Sequence, residues 1–276
     1  MSETACSSFD NYEEYLTNYI GSSSELAVLL DYDGTLTPIV AHPDLAKIPE
    51  ETKSVLQRLS KINGVFLAII SGRNVNNVKE MVGIGNITYA GNHGLEVLYP
   101  DGNLYIHQLP TEFDQAVTNL IKKLEEKVVK NGAWIENKGA SLTFHFRAVP
   151  ENLRHEIEET AHKIIEDAGF KVGKAHCALE ARPTVDWNKG KVALLILNKN
   201  YGEDWSRKVK VIFVGDDTTD EDAMKALKGS AATFRVAASS NITTHAEKLL
   251  SSTEAVYEML VFVEKLILKK STKIEL

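Results

Sequence analysis

The sequence predicts an α/β fold in which a parallel sheet, covered by helices on both faces, carries a smaller inserted α+β domain. Three apolar runs predict buried strands, at residues 25–31, 64–71 and 208–216. Each run is short, is rich in Val, Ile and Leu, and ends at a polar residue or shortly before one. Continuous apolar strands separated by helical segments are typical of a parallel sheet that is buried on both faces.

Helical segments follow these strands. Residues 49–64 predict a crossover helix, because Pro49 stands near its start and Gly64 at its end. Residues 220–229 predict a helix with acidic side chains in its first turn, where the helix dipole favours negative charge. Residues 253–270 predict a final helix that packs on the core.

The middle of the chain has a different pattern. Residues 111–131 and 151–169 carry apolar side chains at helical spacing, whereas residues 140–149 alternate as an amphipathic strand does. Residues 171–183 return as extended structure. We therefore expect an α+β domain at residues 110–185, inserted into a core made of residues 1–109 and 186–276.

The composition is that of a globular protein, with 276 residues of which 43% are hydrophobic and 25% charged. The formal net charge of -7 predicts no binding to nucleic acid or anionic membranes. Cys6 and Cys177 stand in no disulfide or metal-ligand pattern. No apolar run reaches the roughly 18 residues of a membrane span. Because the polar N-terminus has no secretory pattern, we expect a cytoplasmic protein.

Polar residues that are candidates for a site follow all three predicted strands. They are Asp31 and Asp33 after the first, Ser71 and Arg73 after the second, and Asp216, Asp217 and Asp220 after the third. In an open parallel sheet, ligands bind beyond the carboxyl ends of the strands. Residues far apart in sequence are therefore expected to share one edge of the sheet.

The residue types at this edge suit phosphate chemistry. Two carboxylates as close as Asp31 and Asp33 resist joint ionisation unless a cation compensates them, and all-oxygen ligands favour Mg²⁺. One of them could attack a phosphorus atom while the other moves the proton of the leaving group and of water. Ser71 offers a hydroxyl, followed by amides at a predicted helix start. Lys189 offers a positive charge to the phosphate.

Each of these motifs also has a structural interpretation. Asp and Gly are common in loops, the acidic residues 215–222 could form a solvated helix cap, and a lone lysine is usually at the surface. Four such motifs in this order, each after a strand or in a loop, favour the catalytic interpretation.

Together the motifs resemble those of the haloacid dehalogenase (HAD) superfamily, on DYDGT (31–35), Ser71, Lys189 and GDDTTDED (215–222). More narrowly, residues 26–240 are similar to the trehalose-phosphate phosphatase family. The segments that carry this similarity are LDYDGTLTPI, SGR, AGNHG, LEARP, DWNKGKV and GDDTTDEDAM. The resemblance implies a HAD-like Rossmannoid core and a C2-type cap, which would be the inserted domain.

The resemblance also implies an activity, the Mg²⁺-dependent hydrolysis of trehalose 6-phosphate to trehalose and phosphate, the last step of trehalose biosynthesis. Asp31 would form an aspartyl-phosphate, and Asp33 would act as general acid and then as base. Ser71 and Lys189 would bind the phosphoryl group. The Mg²⁺ ion would be held by Asp31, the Asp33 carbonyl and Asp216, with Asp217 or Asp220 assisting.

The expected substrate contacts each have a structural alternative. They are Arg73, Asn92 and His93 in the core, and Lys138, Ser141, His145, Arg147, Glu180 and Arg182 in the cap. Arg73 could bind phosphate or sugar, or it could stabilise a helix start. The loop of Asn92 and His93 could bind sugar, or it could form a structural turn. The cap residues form either a substrate face or a solvated one, and Glu180 either binds sugar or pairs with Arg182.

Two rival functions remain open. A phosphatase of another sugar phosphate, such as sucrose 6-phosphate, fits the superfamily motifs, although AGNHG and LEARP favour trehalose 6-phosphate. A catalytically silent domain that binds sugar phosphate would have lost Asp31, Asp33, Lys189 or Asp216, and all four are present. The expected partners are trehalose 6-phosphate and, beyond it, a trehalose-phosphate synthase.

Overall fold

The structure, a computed structural model, describes residues 12–40, 42–175 and 177–274. Cys6 lies outside the described residues, as do the first eleven residues of the polar N-terminus. The chain divides into two compact units, one made of the residues up to Tyr105 and from Trp187 onwards, the other of Ile106–Asp186. Within the described ranges, no helix is both long and apolar enough to cross a membrane.

The strands, in chain order, are β1 (Leu26–Leu30), β2 (Val65–Ile70), β3 (Thr88–Gly91), β4 (Glu96–Leu98), β5 (Leu104–Ile106), β6 (Trp134–Asn137), β7 (Leu142–His145), β8 (Lys171–Ala175), β9 (Ala178–Arg182), β10 (Lys210–Gly215), β11 (Ala232–Val236) and β12 (Lys248–Leu250). The helices are α1 (Glu13–Ile20), α2 (Glu50–Leu59), α3 (Val75–Val82), α4 (Phe113–Lys127), α5 (Glu151–Asp167), α6 (Lys189–Tyr201), α7 (Trp205–Lys208), α8 (Thr218–Ala226) and α9 (Thr253–Ile274).

The first unit is built on an eight-stranded sheet of order β12-β11-β10-β1-β2-β3-β4-β5. Every pair from β12 to β3 is parallel, and β4 pairs with β3 in the antiparallel sense. The predicted parallel sheet is confirmed. The three strands predicted from apolar runs are β1, β10 and β2, which lie side by side at its centre.

Burial on both faces explains why β1 is apolar throughout. Its five residues are all fully buried. Leu26, Val28 and Leu30 pack in one hydrophobic cluster with residues of α2 and α9, while Ala27 and Leu29 pack in a second cluster with residues of α6 and α8. A strand whose alternate side chains enter two different cores cannot show the alternation of a half-exposed strand.

Helix ends in the first unit differ from the predicted ones for local reasons. The predicted helix at 49–64 is α2, which stops at Leu59 because residues 60–64 form the turn into β2. Gly64 closes that turn at a φ of +81°, where a Cβ would lie 2.2 Å from the Ser24 carbonyl. The predicted helix at 220–229 is α8, which starts two residues earlier because Asp217 caps it.

The second unit contains a four-stranded antiparallel sheet of order β6-β7-β9-β8 and the helices α4 and α5. Leu142, Phe144, Leu179 and Ala181 are fully buried in one hydrophobic cluster with side chains of both helices. The alternate residues of β7 and β9 therefore lie on the face of the sheet that the helices leave uncovered. The predicted strand at 140–149 is the shorter β7, and the predicted extended segment at 171–183 is the hairpin β8–β9.

We expect Leu56→Ala to lower the free energy of unfolding by about 2–5 kcal/mol, because it leaves a cavity at a fully buried position of α2. The matched control is Leu45→Ala, at a side chain that is 61% exposed. The control should change the free energy by less than about 0.5 kcal/mol. Urea denaturation of both variants measures the difference, and equal losses would contradict the assignment of this core.

Candidate active site

Asp31 lies where β1 ends, in a buried position. Its amide donates to the Val214 carbonyl, continuing the ladder with β10, and the residue is only 4% exposed. Gly34 then turns the chain at a φ of +81°. A Cβ at Gly34 would lie 2.1 Å from Oδ2 of Asp216, so the turn after β1 closes directly on the carboxylate that follows β10.

Lys189 connects Asp31, which follows β1, with Asp220 in the first turn of α8. Its Nζ donates to Oδ1 of Asp31 at 2.6 Å and to Oδ1 of Asp220 at 2.8 Å, and all three side chains are buried. Burial alone would lower the pKa of Lys189, but the charges of Asp220 and Asp31 raise it well above its usual value. The lysine is therefore a fixed positive charge. Its position is set by the start of α6, where the Asn188 side chain accepts from the Lys191 amide.

Asp220 and Asp217 have different roles, although the sequence did not separate them. Asp220 is fully buried, and its Oδ2 accepts from the amides of Asp216 and Asp217 at 3.2 and 3.0 Å. Asp217 is exposed, and its Oδ1 accepts from the Thr218 amide as the cap of α8. Of the two, Asp220 is the one that faces Asp31 and Lys189.

Three carboxylates are arranged as a cation site would be. Oxygens of Asp31, Asp216 and Asp220 lie within 4.8 Å of one another. Oδ1 of Asp216 is buried without a hydrogen-bond partner. Burial, followed by the charge of Asp220, raises the pKa of Asp216 to about 7. Burial likewise raises the pKa of Asp31 well above 3.8, although Lys189 opposes this. One lysine does not balance three carboxylates, and an all-oxygen set suits a hard divalent cation.

Ser71 and Arg73 follow β2 in a loop, not at a helix start as predicted. The helix α3 begins at Val75, capped by Asn74, so the amides after Ser71 precede it. Ser71 is fully buried, and its Oγ accepts from the Arg73 amide at 3.1 Å. The Arg73 guanidinium forms a two-pronged ion pair with Asp33, with both N–H···O distances 2.7 Å.

The loop of Asn92 and His93 is bonded to the loop of Ser71. The Asn92 amide donates to the Arg73 carbonyl and the His93 amide to the Ser71 carbonyl, at 2.7 and 2.9 Å. Both residues adopt left-handed φ values, +48° and +56°. The Asn92 side chain is fully buried and donates to Glu96 at 3.0 Å. The predicted structural turn is thus present, while a contact of either residue with sugar stays a prediction.

The predicted cap residues all belong to the second unit. Glu180 lies 3.6 Å from Lys138 and 3.5 Å from Arg182, so the structural ion pair exists. Glu180, Arg182 and His145 alternate with the core residues of their strands, which places them on the uncovered face of the sheet. His145 stacks on Trp134 with ring centroids 4.1 Å apart and bonds Glu136 at 3.0 Å.

Ser141 and Arg147 flank the strand β7. Ser141 is buried, and its carbonyl accepts from the Lys138 amide at 2.9 Å. The carbonyl of Arg147, a partly buried residue, accepts from Arg154 at 2.9 Å. The roles of all the cap residues in binding substrate stay predictions.

Sequence reasoning missed a brace around the acidic turn of residues 215–222. Arg235, in β11, donates through Nη1 to the Asp217 carbonyl at 2.6 Å and to Glu221 at 2.9 Å. Glu221 also accepts from the Thr244 hydroxyl and the His245 amide, both at 2.7 Å. No local pattern marks Arg235, because its role depends on the pairing of β11 with β10.

The chain is similar to known proteins over most of its length. The profile of the trehalose-phosphatase family matches residues 29–257. The chain is 34% identical over 226 residues to probable trehalose-phosphate phosphatase 4 of Oryza sativa subsp. japonica, covering 80% of this chain and 60% of that one. It is 35% identical over 214 residues to trehalose-phosphate phosphatase B of Arabidopsis thaliana, covering 74% and 56%. The chain thus spans less than two thirds of the length of these curated relatives.

Solved structures share the fold. The C-terminal domain of a C. albicans trehalose-6-phosphate phosphatase has a TM-score of 0.80 at 23% identity, covering 95% of this chain and 99% of that one. A haloacid dehalogenase-like hydrolase from Bacteroides thetaiotaomicron has a TM-score of 0.59 at 15% identity, covering 87% and 99%. These neighbours confirm the predicted HAD-like α/β fold.

The raised pKa of Asp216 predicts a pH dependence of stability in metal-free protein. Because its folded pKa, about 7, lies above its ordinary 3.8, the folded state holds an extra proton between these values. The free energy of unfolding of the parent therefore falls as the pH rises through that window. We therefore expect Asp216→Asn to become more stable than the parent as the pH rises from about 4 to about 7, with a plateau above it.

Urea denaturation in EDTA across this pH range measures the effect. The matched control is Asp217→Asn, since its side chain is exposed and asparagine caps helices equally well. A pH-dependent gain of the same size in both variants would show that the gain does not come from the raised pKa of Asp216.

Proposed function

The chain belongs to the trehalose-phosphatase family, and we propose that it is a Mg²⁺-dependent phosphatase that hydrolyses trehalose 6-phosphate to trehalose and phosphate. The observation that carries the proposal is the buried group of Asp31, Lys189 and Asp220 at the ends of the central strands, beside the orphaned oxygen of Asp216. A cytoplasmic location and a trehalose-phosphate synthase as partner belong to the same proposal and rest on the sequence pattern alone.

In the first half of the reaction, a carboxylate oxygen of Asp31 attacks the phosphorus atom. The bond from phosphorus to the sugar oxygen breaks, and that oxygen keeps the electron pair and takes a proton from the Asp33 carboxyl group. Trehalose leaves, and Asp31 carries the phosphoryl group. Lys189 supports this step because it orients Asp31 through Oδ1 and places a positive charge beside it.

In the second half, the Asp33 carboxylate takes a proton from a water molecule. The water oxygen bonds to phosphorus, and the bond between phosphorus and Asp31 breaks. Inorganic phosphate leaves, and Asp31 is again a carboxylate. A covalent nucleophile accelerates the reaction in this way because it divides one difficult displacement into two easier ones.

The residues proposed to hold Mg²⁺ are Asp31, the Asp33 carbonyl and Asp216. The unpartnered Oδ1 of Asp216 fits such an ion, and so does the close group of carboxylate oxygens that Asp31 and Asp216 form with Asp220. Mg²⁺, when bound, supplies positive charge to the carboxylates and the phosphoryl oxygens. Asp220 would assist indirectly, because both its oxygens already accept hydrogen bonds from Lys189 and the two backbone amides.

For the sugar, we propose the residues of the second unit on the uncovered face of its sheet. Glu180 is held between Lys138 and Arg182, so a carboxylate with fixed orientation is available to accept bonds from hydroxyl groups. On β7, Thr143 pairs with Glu180, and His145 lies two residues further along the same face, where it adds a ring nitrogen.

The first test is phosphate release from trehalose 6-phosphate with Mg²⁺, beside sucrose 6-phosphate and glucose 6-phosphate. We expect preferential release from trehalose 6-phosphate, and loss of activity with EDTA or in Asp31→Asn, because the nucleophile is then absent. Release from another sugar phosphate alone would support the proposed reaction but refute trehalose 6-phosphate as its substrate. No release from any of them by folded protein would favour the catalytically silent domain that binds sugar phosphate.

The metal proposal has a test that needs no turnover. Mg²⁺ should raise the unfolding temperature of the metal-free protein, since an ion at 100 times its Kd stabilises the folded state by about 2.7 kcal/mol. Asp216→Asn should lose this shift and Asp217→Asn should keep it. Thermal unfolding with and without Mg²⁺ measures both, and a shift that survives in Asp216→Asn would remove this residue from the site.

A further inference from the structure

Every N–H of the Arg73 guanidinium is bonded to the protein. Nε and Nη2 donate to Oδ2 and Oδ1 of Asp33, both at 2.7 Å. Nη2 also donates to the Pro43 carbonyl at 2.9 Å. Nη1 donates to Oδ1 of Asn77 at 3.2 Å and to the sulfur of Met81 at 3.1 Å. These five bonds use all five donors of an arginine side chain.

The guanidinium is also enclosed. The Arg73 side chain is 7% exposed, and its Cζ lies 5.4 Å from the ring centroid of Tyr32. The Tyr32 hydroxyl donates to the Ala46 carbonyl at 2.8 Å, which fixes the ring. The arginine is thus held by α3, by the short 3-10 helix Pro43–Leu45 and by the ring of Tyr32.

The other member of the pair is the accessible one, since the Asp33 side chain is 42% exposed. An exposed carboxylate on its own would occupy several rotamers. A two-pronged bond to a buried guanidinium fixes both of its oxygens in one plane. The energy of such a half-exposed pair is small, so its main effect is orientation.

From this geometry we infer that Arg73 is a positioning residue for Asp33 and not a ligand of phosphate or sugar. It holds Asp33 as the carboxylate that takes the proton of the attacking water. Both Asp33 oxygens accept hydrogen bonds from Arg73, so the plane of the carboxyl group is fixed relative to the guanidinium. The inference rests on the proposed function and concerns its second half, in which the bond between phosphorus and Asp31 breaks as the water oxygen bonds to phosphorus.

The test separates the two halves with p-nitrophenyl phosphate, whose leaving group needs no proton. With Arg73→Gln and Mg²⁺, we expect a burst of about one p-nitrophenolate per active site, followed by turnover that is about 100-fold slower than in the parent. The phosphorylated protein should accumulate and be seen as a mass increase after acid quench. Arg73→Lys should behave alike, because an ammonium keeps the charge but cannot form the two-pronged pair.

Three controls make the result specific. Arg58→Gln removes a matched two-pronged pair, Arg58 with Glu264 at 2.6 and 2.9 Å between α2 and α9, and should show no burst. Asn77→Ala keeps the pair with Asp33 but loosens Arg73, and should show a weaker burst even if Arg73 variants unfold. Inhibition by inorganic phosphate reports directly on phosphate binding.

The outcomes are distinct. A burst in the Arg73 variants with unchanged inhibition by phosphate supports the inference. A parallel rise in KM and in the inhibition constant of phosphate, without a burst, would show that Arg73 binds phosphate and would overturn it. So would normal turnover in both Arg73 variants. A parent that turns over p-nitrophenyl phosphate but not trehalose 6-phosphate refutes the proposed substrate alone, whereas a parent inactive on both refutes function and inference together.

Discussion

The first unit depends on one buried ion group, in which Lys189 contacts Asp31 and Asp220. Taking charged groups out of water costs several kcal/mol for each ion, and only close pairing offsets this. The group therefore ties together the end of β1, the start of α6 and the first turn of α8. Residues 158 positions apart in sequence meet at 2.6 Å, so any shift of one element leaves a buried charge unpaired.

Around this group, backbone contacts hold the remaining loops at fixed distances. Gly190 lets α6 approach α8 so closely that a Cβ there would lie 2.4 Å from the Asp222 carbonyl. Backbone hydrogen bonds connect the loop of His93 with the loop of Ser71, and the Trp187 indole donates to the Gly94 carbonyl at 2.9 Å. The orientation of each acidic side chain thus follows from the packing of several rigid elements, which is how preorganised sites are built.

The sequence predicted what depends on local pattern. The strands β1, β2 and β10 were found because each is a continuous apolar run, and the acidic residues after them because strand ends share an edge. The strands β3, β4, β5 and β12 are three or four residues long and give too little periodicity, and β11 is interrupted by Thr233 and Arg235. The pair of Arg73 with Asp33, the brace by Arg235 and the separation of Asp217 from Asp220 depend on tertiary contacts between distant segments, which no local pattern contains.

The strand pairing has a consequence for how the protein is made. The central pair aligns Leu26 with Lys210, so β1 cannot gain its partner β10 until most of the chain has left the ribosome. Until then β1 and β2 present fully apolar strands, and long-range parallel pairing is slow and open to aggregation. Since Asp31 follows β1 and Asp216 follows β10, the acidic site cannot form before this pair has closed.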